Sequence, residues 1–186
     1  EAHEGGVVME KQKNTPEACK ACMARSKRGF EIVEGFKKAD PPINIPQRQT
    51  KFRACYDIEA ADYYIIEPGE TRLIATGLKA YMQSDEVLLI HLESHFSIQK
   101  YCSIPNDECI IDSDYYNNPR NEGHIFIPIF NHGGDPVIIT EGQRIAQGMF
   151  MVYLITDCDV PGGTRLGGSG STDKYKKHRN DDPDDK

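Results

Sequence analysis

The chain contains no tryptophan, and none of its apolar runs approaches the ~20 residues that a membrane-spanning helix requires. No membrane anchor is expected. The first residues are polar, so no secretory signal is expected either, and the reading is a soluble protein of the cytoplasm. No basic cluster occurs in the centre of the sequence, and the net charge is −7. A duplex nucleic acid needs a basic face to displace its counterions, which excludes it as an expected partner. Six cysteines are present: Cys19, Cys22, Cys55, Cys102, Cys109 and Cys158. Cys19 and Cys22 form a lone C-x-x-C, whereas a structural zinc site needs a second ligand pair. Without it, and without a secretory context, the six read as free thiols.

What is present divides the 186 residues into four parts. Residues 1–29 read as an appendage in which Met9 offers a natural start. Thr15-Pro16 and Gly29 supply the N-cap, first-turn proline and terminal glycine of one short helix. From residue 30 to 158, short apolar runs alternate with turn residues. The runs include Tyr64-Ile65-Ile66, Leu73-Ile74-Ala75, residues 87–92, 124–130 and 137–140; the breaks include Pro68-Gly69, Gly77, Asn117-Asn118-Pro119 and Glu141-Gly142. Many short strands with such punctuation predict an all-β domain of jelly-roll type. Both faces of the 124–130 run are apolar, so cover on both sides is expected. Pro128 cannot donate a ladder bond, which predicts an edge or a bulge. Together these imply that another subunit covers the strand. Residues 159–173 form a glycine- and serine-rich arm, and residues 174–186 a charged tail too polar to order.

The chemistry concentrates in Cys109-Ile110-Ile111-Asp112-Ser113-Asp114-Tyr115. A carboxylate at the end of an apolar strand can hold and activate water, and an aromatic ring three residues later can pack on a small ligand. This run resembles the third motif of the trimeric dUTP diphosphatases (dUTPases), of bacterial and phage type. That motif reads roughly Gly-x-Ile-Asp-x-x-Tyr, with Cys109 here in place of the glycine. The first motif resembles Ala54-Cys55-Tyr56-Asp57-Ile58, the fourth Gly142-Gln143-Arg144-Ile145-Ala146-Gln147, and the fifth Arg165-Leu166-Gly167-Gly168-Ser169-Gly170-Ser171-Thr172.

The resemblance implies a jelly-roll homotrimer, with sites at the subunit interfaces closed by a neighbour's C-terminal arm. It implies hydrolysis of dUTP to dUMP and diphosphate with Mg2+. Asp112 would activate the attacking water. Asn106 and Ile111 would lie in the hairpin that reads the base, and Tyr115 would pack on the deoxyribose and leave no room for a 2′-hydroxyl. Asp57 would reach the metal through water. Gln147 would serve the phosphate and metal region, and Ser94, Arg165, Gly168, Ser171 and Thr172 would hold the nucleotide. Glycine-rich backbone and hydroxyls suit a phosphate chain, and an arginine fork can clamp it.

Three departures matter. Ser169 replaces an aromatic residue that stacks on the base, a contact of ~1–3 kcal/mol. Cys109 matters if its position needs a positive φ. Glu93 stands where the second motif has an arginine, nineteen residues before Asp112. A carboxylate facing a triphosphate exchanges attraction for repulsion, of order 4 kcal/mol per unit-charge pair at ~4 Å and an effective dielectric near 20. A second reading is therefore a dUTPase-fold protein, with little or no catalysis, that binds a nucleotide or a protein partner. A third comes from Gly123-His124-Ile125, which resembles a strand of the dCTP deaminases. That family carries a glutamate where this chain has Ile127-Pro128-Ile129.

Overall fold

The computed structural model describes residues 27–163 and 165–168. Within these residues eleven strands form from the β-branched and apolar runs: β1 (Gly29–Ile32), β2 (Tyr56–Glu59), β3 (Tyr64–Ile66), β4 (Thr71–Ala75), β5 (Leu78–Tyr81), β6 (Glu86–Leu92), β7 (Cys102–Ser103), β8 (Cys109–Asp112), β9 (Phe126–Asn131), β10 (Val137–Ile139) and β11 (Arg144–Val152). They make antiparallel sheets ordered β2-β11-β6-β8 and β4-β9-β7, with pairs β1-β5 and β10-β3. Among the described residues one α-helix, α1 (Ser94–Lys100), is present, and it follows β6. Among the described residues no helix is long and apolar enough to cross a membrane.

Strand periodicity builds the core. Along β6, Glu86, Leu88, Ile90 and Leu92 are buried while Val87, Leu89 and His91 are half-buried. Leu88, Ile90 and Leu92 join Ile58, Ile66, Ile74, Ile127, Ile129, Ile139 and Ile145 in one cluster that draws on both larger sheets. Burying each such side chain contributes about 1.5–3 kcal/mol. Glycines turn the chain where a positive φ is required. Gly77 (φ 69°) separates β4 from β5, and Gly142 (φ 72°) leads into β11.

Two expectations are corrected, and one element was not foreseen. Gly29, expected to end a helix, opens β1 opposite Tyr81. A Cβ there would lie 2.6 Å from Tyr81 Oη, so the strand pairing needs the bare backbone. The rest of that helix, with Cys19 and Cys22, lies outside the described residues, as does the tail from residue 169.

The second correction concerns β9, which is the central strand of its sheet rather than an edge. Pro128 pairs with Leu73 of β4, but β7 reaches only Phe130 and Asn131. The flank beside Pro128 is therefore open, and no ladder bond is lost there. Only one face of β9 is fully covered: Ile127, Ile129 and Asn131 are buried, whereas Phe126 is exposed and Pro128 and Phe130 are half-buried.

Third, residues 94–100 are helical. The Glu93 carboxylate accepts from the Phe96 N–H at 2.7 Å and caps the helix. Glutamate is not among the preferred N-cap residues, so no helix start is legible at this position.

Candidate active site

Two clusters emerge, on opposite edges of the four-stranded sheet. The first begins where β8 ends. Asp112 pairs with Val87 and is followed by a 3-10 turn at Ser113–Tyr115. Burial raises the Asp112 pKa above the ordinary aspartate range. The Arg165 guanidinium pulls it down, and the Asp114 charge pushes it up. Arg165 is ion-paired with Asp112, and its Nε donates to Asp114 Oδ1 at 2.7 Å. Its guanidinium carbon lies 5.8 Å from the centre of the Tyr115 ring.

The ring of Tyr115 is fixed by two hydrogen bonds. Its hydroxyl donates to the His124 carbonyl at 3.1 Å and accepts from Asn121 Nδ2 at 2.8 Å. The loop behind it is tight. Buried Asn118 donates through Nδ2 to the Tyr115 carbonyl at 2.8 Å and to Asn121 Oδ1 at 2.7 Å. Gly123 has φ 81°, and a Cβ there would lie 2.6 Å from the Tyr115 carbonyl oxygen. Only glycine fits that approach. Gly168 lies against the same ring, where an added Cβ would meet Tyr115 Oη at 3.6 Å. The described part of the arm thus lies over the hairpin of its own chain. The resemblance implies that a neighbour's arm closes the site.

The second cluster lies along β2, β11 and β6. Asp57 pairs in register with Gln147, and Gln147 with His91, so the three share the face turned from the core. Asp57 is buried, yet two guanidinium groups meet it. Arg53 Nη2 approaches Asp57 Oδ1 at 2.5 Å, and Arg144 Nη1 donates to Oδ2 at 3.1 Å. Arg53 Nη1 donates to Oδ2 at 3.4 Å, whereas the close Nη2 contact with Oδ1 lacks hydrogen-bond alignment. It leaves Asp57 Oδ1 as the only fully buried side-chain oxygen or nitrogen without a hydrogen bond among the described residues. Arg53 Nη2 also donates to Gln147 Oε1 at 3.2 Å.

Ser94 is exposed at the start of α1, two positions beyond the buried Leu92, and Glu93 beside it is held as the helix cap. Asn106 is exposed in the turn before β8, where its carbonyl accepts from the Glu108 N–H at 2.8 Å. The Ile111 side chain faces the core, and its neighbour Ile110 is the exposed one. Cys109 has no positive φ and sits inside β8, so a side chain is accommodated there. Burial, helped by the Glu108 charge, pushes its thiol up to about 11. Ser169, Ser171 and Thr172 lie outside the described residues.

The structure adds residues that the motifs did not supply. Asn118, Asn121 and Gly123 hold Tyr115; Asn118 was read only as a turn residue and Asn121 not at all. Arg53 was legible only as a cation four residues before Asp57.

Strand geometry separates the two clusters. Asp112 is level with Val87, four residues from His91, which is about 13 Å along β6 at 3.3 Å per residue. β8 and β2 are three strand spacings apart, about 14 Å. Asp112 and Asp57 are therefore roughly 20 Å apart within one chain.

The sequence profile of the dUTPase family matches residues 41–161, more than half of the chain. A protein of Lactococcus lactis subsp. lactis (strain IL1403), named deoxyuridine 5'-triphosphate nucleotidohydrolase, is 48% identical over 147 residues; these cover 78% of this chain and 97% of the relative. A protein of the same name from Leptospira interrogans serovar Lai (strain 56601) is 37% identical over 113 residues, covering 60% of this chain and 74% of the relative. Among solved structures, a dUTPase from Streptococcus mutans superposes with a TM-score of 0.65 at 39% identity, covering 69% of this chain and 98% of that one. The dUTPase from phage phi11 of S. aureus shares the fold, with a TM-score of 0.59 at 19% identity over 74% of this chain and 97% of that one.

Proposed function

Because this chain belongs to the dUTPase family, we propose that it hydrolyses dUTP to dUMP and diphosphate, with Asp112 as the base that activates the attacking water. The observation that carries this reading is the braced pair at the end of β8. Asp112 stands half-exposed at the strand end, while the Tyr115 ring is immobilised three residues later by His124, Asn121 and Asn118. A carboxylate whose pKa is raised toward neutrality is a better proton acceptor from water than an ordinary aspartate. A fixed ring is what steric exclusion of one added hydroxyl requires, because an apolar slot rejects such a group poorly by affinity alone.

The separation of the two clusters supports a site shared between protomers of a homotrimer. By the same strand geometry Asp112 is roughly 16 Å from Gln147 and roughly 20 Å from Asp57, so a nucleotide whose α-phosphate lies at Asp112 and whose phosphate chain meets the Gln147 row takes them from different copies. Within the proposed site, Asp112 and Tyr115 of one copy receive the nucleoside and the α-phosphate. Gln147, Arg53 and Ser94 of the other face the phosphate chain. Asp57 and Gln147 fit magnesium only in a limited way. The donors are one buried carboxylate with an unbonded oxygen and one amide oxygen, and no group of three ligands occurs among the described residues. Such a set suits an ion that keeps several waters and is carried largely by substrate phosphates. When bound, the ion would neutralise phosphate charge.

Diphosphate release from dUTP with magnesium, run beside dCTP, dTTP and UTP, tests the proposal. Turnover of dUTP well above the other three is expected. Binding of dUTP without turnover would instead favour the nucleotide-binding protein.

A further inference from the structure

We infer that Arg53, on the loop before β2, is the cation that meets the nucleotide's phosphate chain in this protein, standing in for the arginine that Glu93 displaces. The inference rests on the dUTP reading above and assigns a residue that lies in none of the five motifs.

The loop is built to present this side chain. Arg48 Nη1 donates to the carbonyls of Lys51 at 3.2 Å and Arg53 at 3.0 Å, closing the loop upon itself. The Arg53 N–H donates to the Thr50 carbonyl at 3.3 Å, and the Asp57 N–H to the Gln47 carbonyl at 3.1 Å, tying the loop to β2. The guanidinium then lies between Asp57 and Gln147, on the row that continues across β11 to His91 of β6. Glu93 follows His91 by two residues, on the same side of the chain by strand alternation.

Its pairing makes the group available. Arg53 and Arg144 share the buried Asp57 carboxylate, so Asp57 keeps a partner when Arg53 turns away. The Arg53 side chain is 27% exposed; its Nη1 donates to Asp57 Oδ2 only at 3.4 Å, and its Nη2 contact with Oδ1 is unaligned. Its planar fork can exchange that poor contact for phosphate oxygens while Arg144 keeps Asp57 neutralised. The Glu93 carboxylate, by contrast, is held on the Phe96 N–H. The site therefore keeps one arginine facing the phosphates but delivers it from a loop and not from the end of β6.

Titration calorimetry with magnesium tests this on the full chain, using dUMP and the non-hydrolysable α,β-imido analogue of dUTP. Wild type, Arg53→Met, Arg53→Lys and the double variant Arg53→Met with Glu93→Arg are compared, with thermal melts of each. Arg53→Met should weaken the analogue at least tenfold and leave dUMP unchanged, Arg53→Lys should fall between, and Glu93→Arg should restore the analogue in the Met background. Equal weakening of dUMP and analogue, or loss of the fold in both single variants, would make Arg53 a structural tie only and overturn the inference. Unchanged analogue binding in Arg53→Met would overturn it as well. If wild type binds neither nucleotide, the dUTP reading itself fails, and the inference with it.

Discussion

Arg165 and Asp112 are ion-paired, and the same guanidinium reaches Asp114. The proposed base thus lies between a charge that lowers its pKa and one that raises it, against a background of burial that raises it most. Activation of water needs the ionised carboxylate, so the rate falls as pH drops through the Asp112 pKa. Arg165→Met removes the lowering charge and should move the acid limb of the kcat/KM profile to higher pH. Asp114→Asn removes the raising charge and should move it lower. Opposite shifts, or none, would mean that another group sets the limb.

Asp112→Asn keeps the shape of the side chain and loses its basicity. Turnover of dUTP should be abolished while the α,β-imido analogue still binds in calorimetry. Wild-type turnover in this variant would remove Asp112 from the mechanism.

Glu93 has two separable roles. Glu93→Ala loses the cap on the Phe96 N–H and should cost about 0.5–2 kcal/mol, lowering Tm by a few degrees. Glu93→Gln keeps an acceptor oxygen but removes the charge, so Tm should change little while affinity for dUTP rises. Melting curves together with KM for dUTP separate the cap from the charge.

His124 sets a pH limit on stability. Its Nε2 accepts from the Gly77 N–H at 3.0 Å, and its ring packs between Phe36 and Phe126. Burial lowers its pKa, although the Glu122 charge pushes the other way. The folded ring resists a proton that the unfolded chain accepts below its ordinary pKa, near 6.5. Its contribution is therefore present above that pH and lost as pH falls toward the lowered folded value. Tm should drop between pH 7 and 5, and His124→Gln should flatten that slope. An equal slope in the variant would assign the loss to other groups.

Much of the fold was legible because strand runs and turn glycines obey local rules. Tyr64-Ile65-Ile66 and the runs in β6, β9 and β10 became strands, and Gly77 and Gly142 took the positive φ that only their lack of a Cβ makes easy. Among the motif residues, Asp112 fell at a strand end, where it comes together with Tyr115 and Arg165, whereas Asp57 and Gln147 lie within paired strands. Helix α1 was missed because its cap is a glutamate and its seven residues are too few to establish a period. The place of Arg53 was not legible, because it depends on a loop closed by Arg48 and on a register between β2 and β11 that sequence spacing does not encode.

Under the proposed site shared between the copies of a trimer, damage to Asp112 and damage to the Asp57–Gln147 row should complement one another. Consider chains inactivated by Asp112→Asn mixed with chains inactivated by Gln147→Ala, unfolded and reassembled together. Each pure ring of three would have no working site. Every mixed ring would still place one unaltered Asp112 against one unaltered Gln147. With random assembly at equal amounts, about one site in four would be whole. Two dead preparations would thus recover activity on mixing, an outcome closed to any enzyme whose site is contained in a single chain.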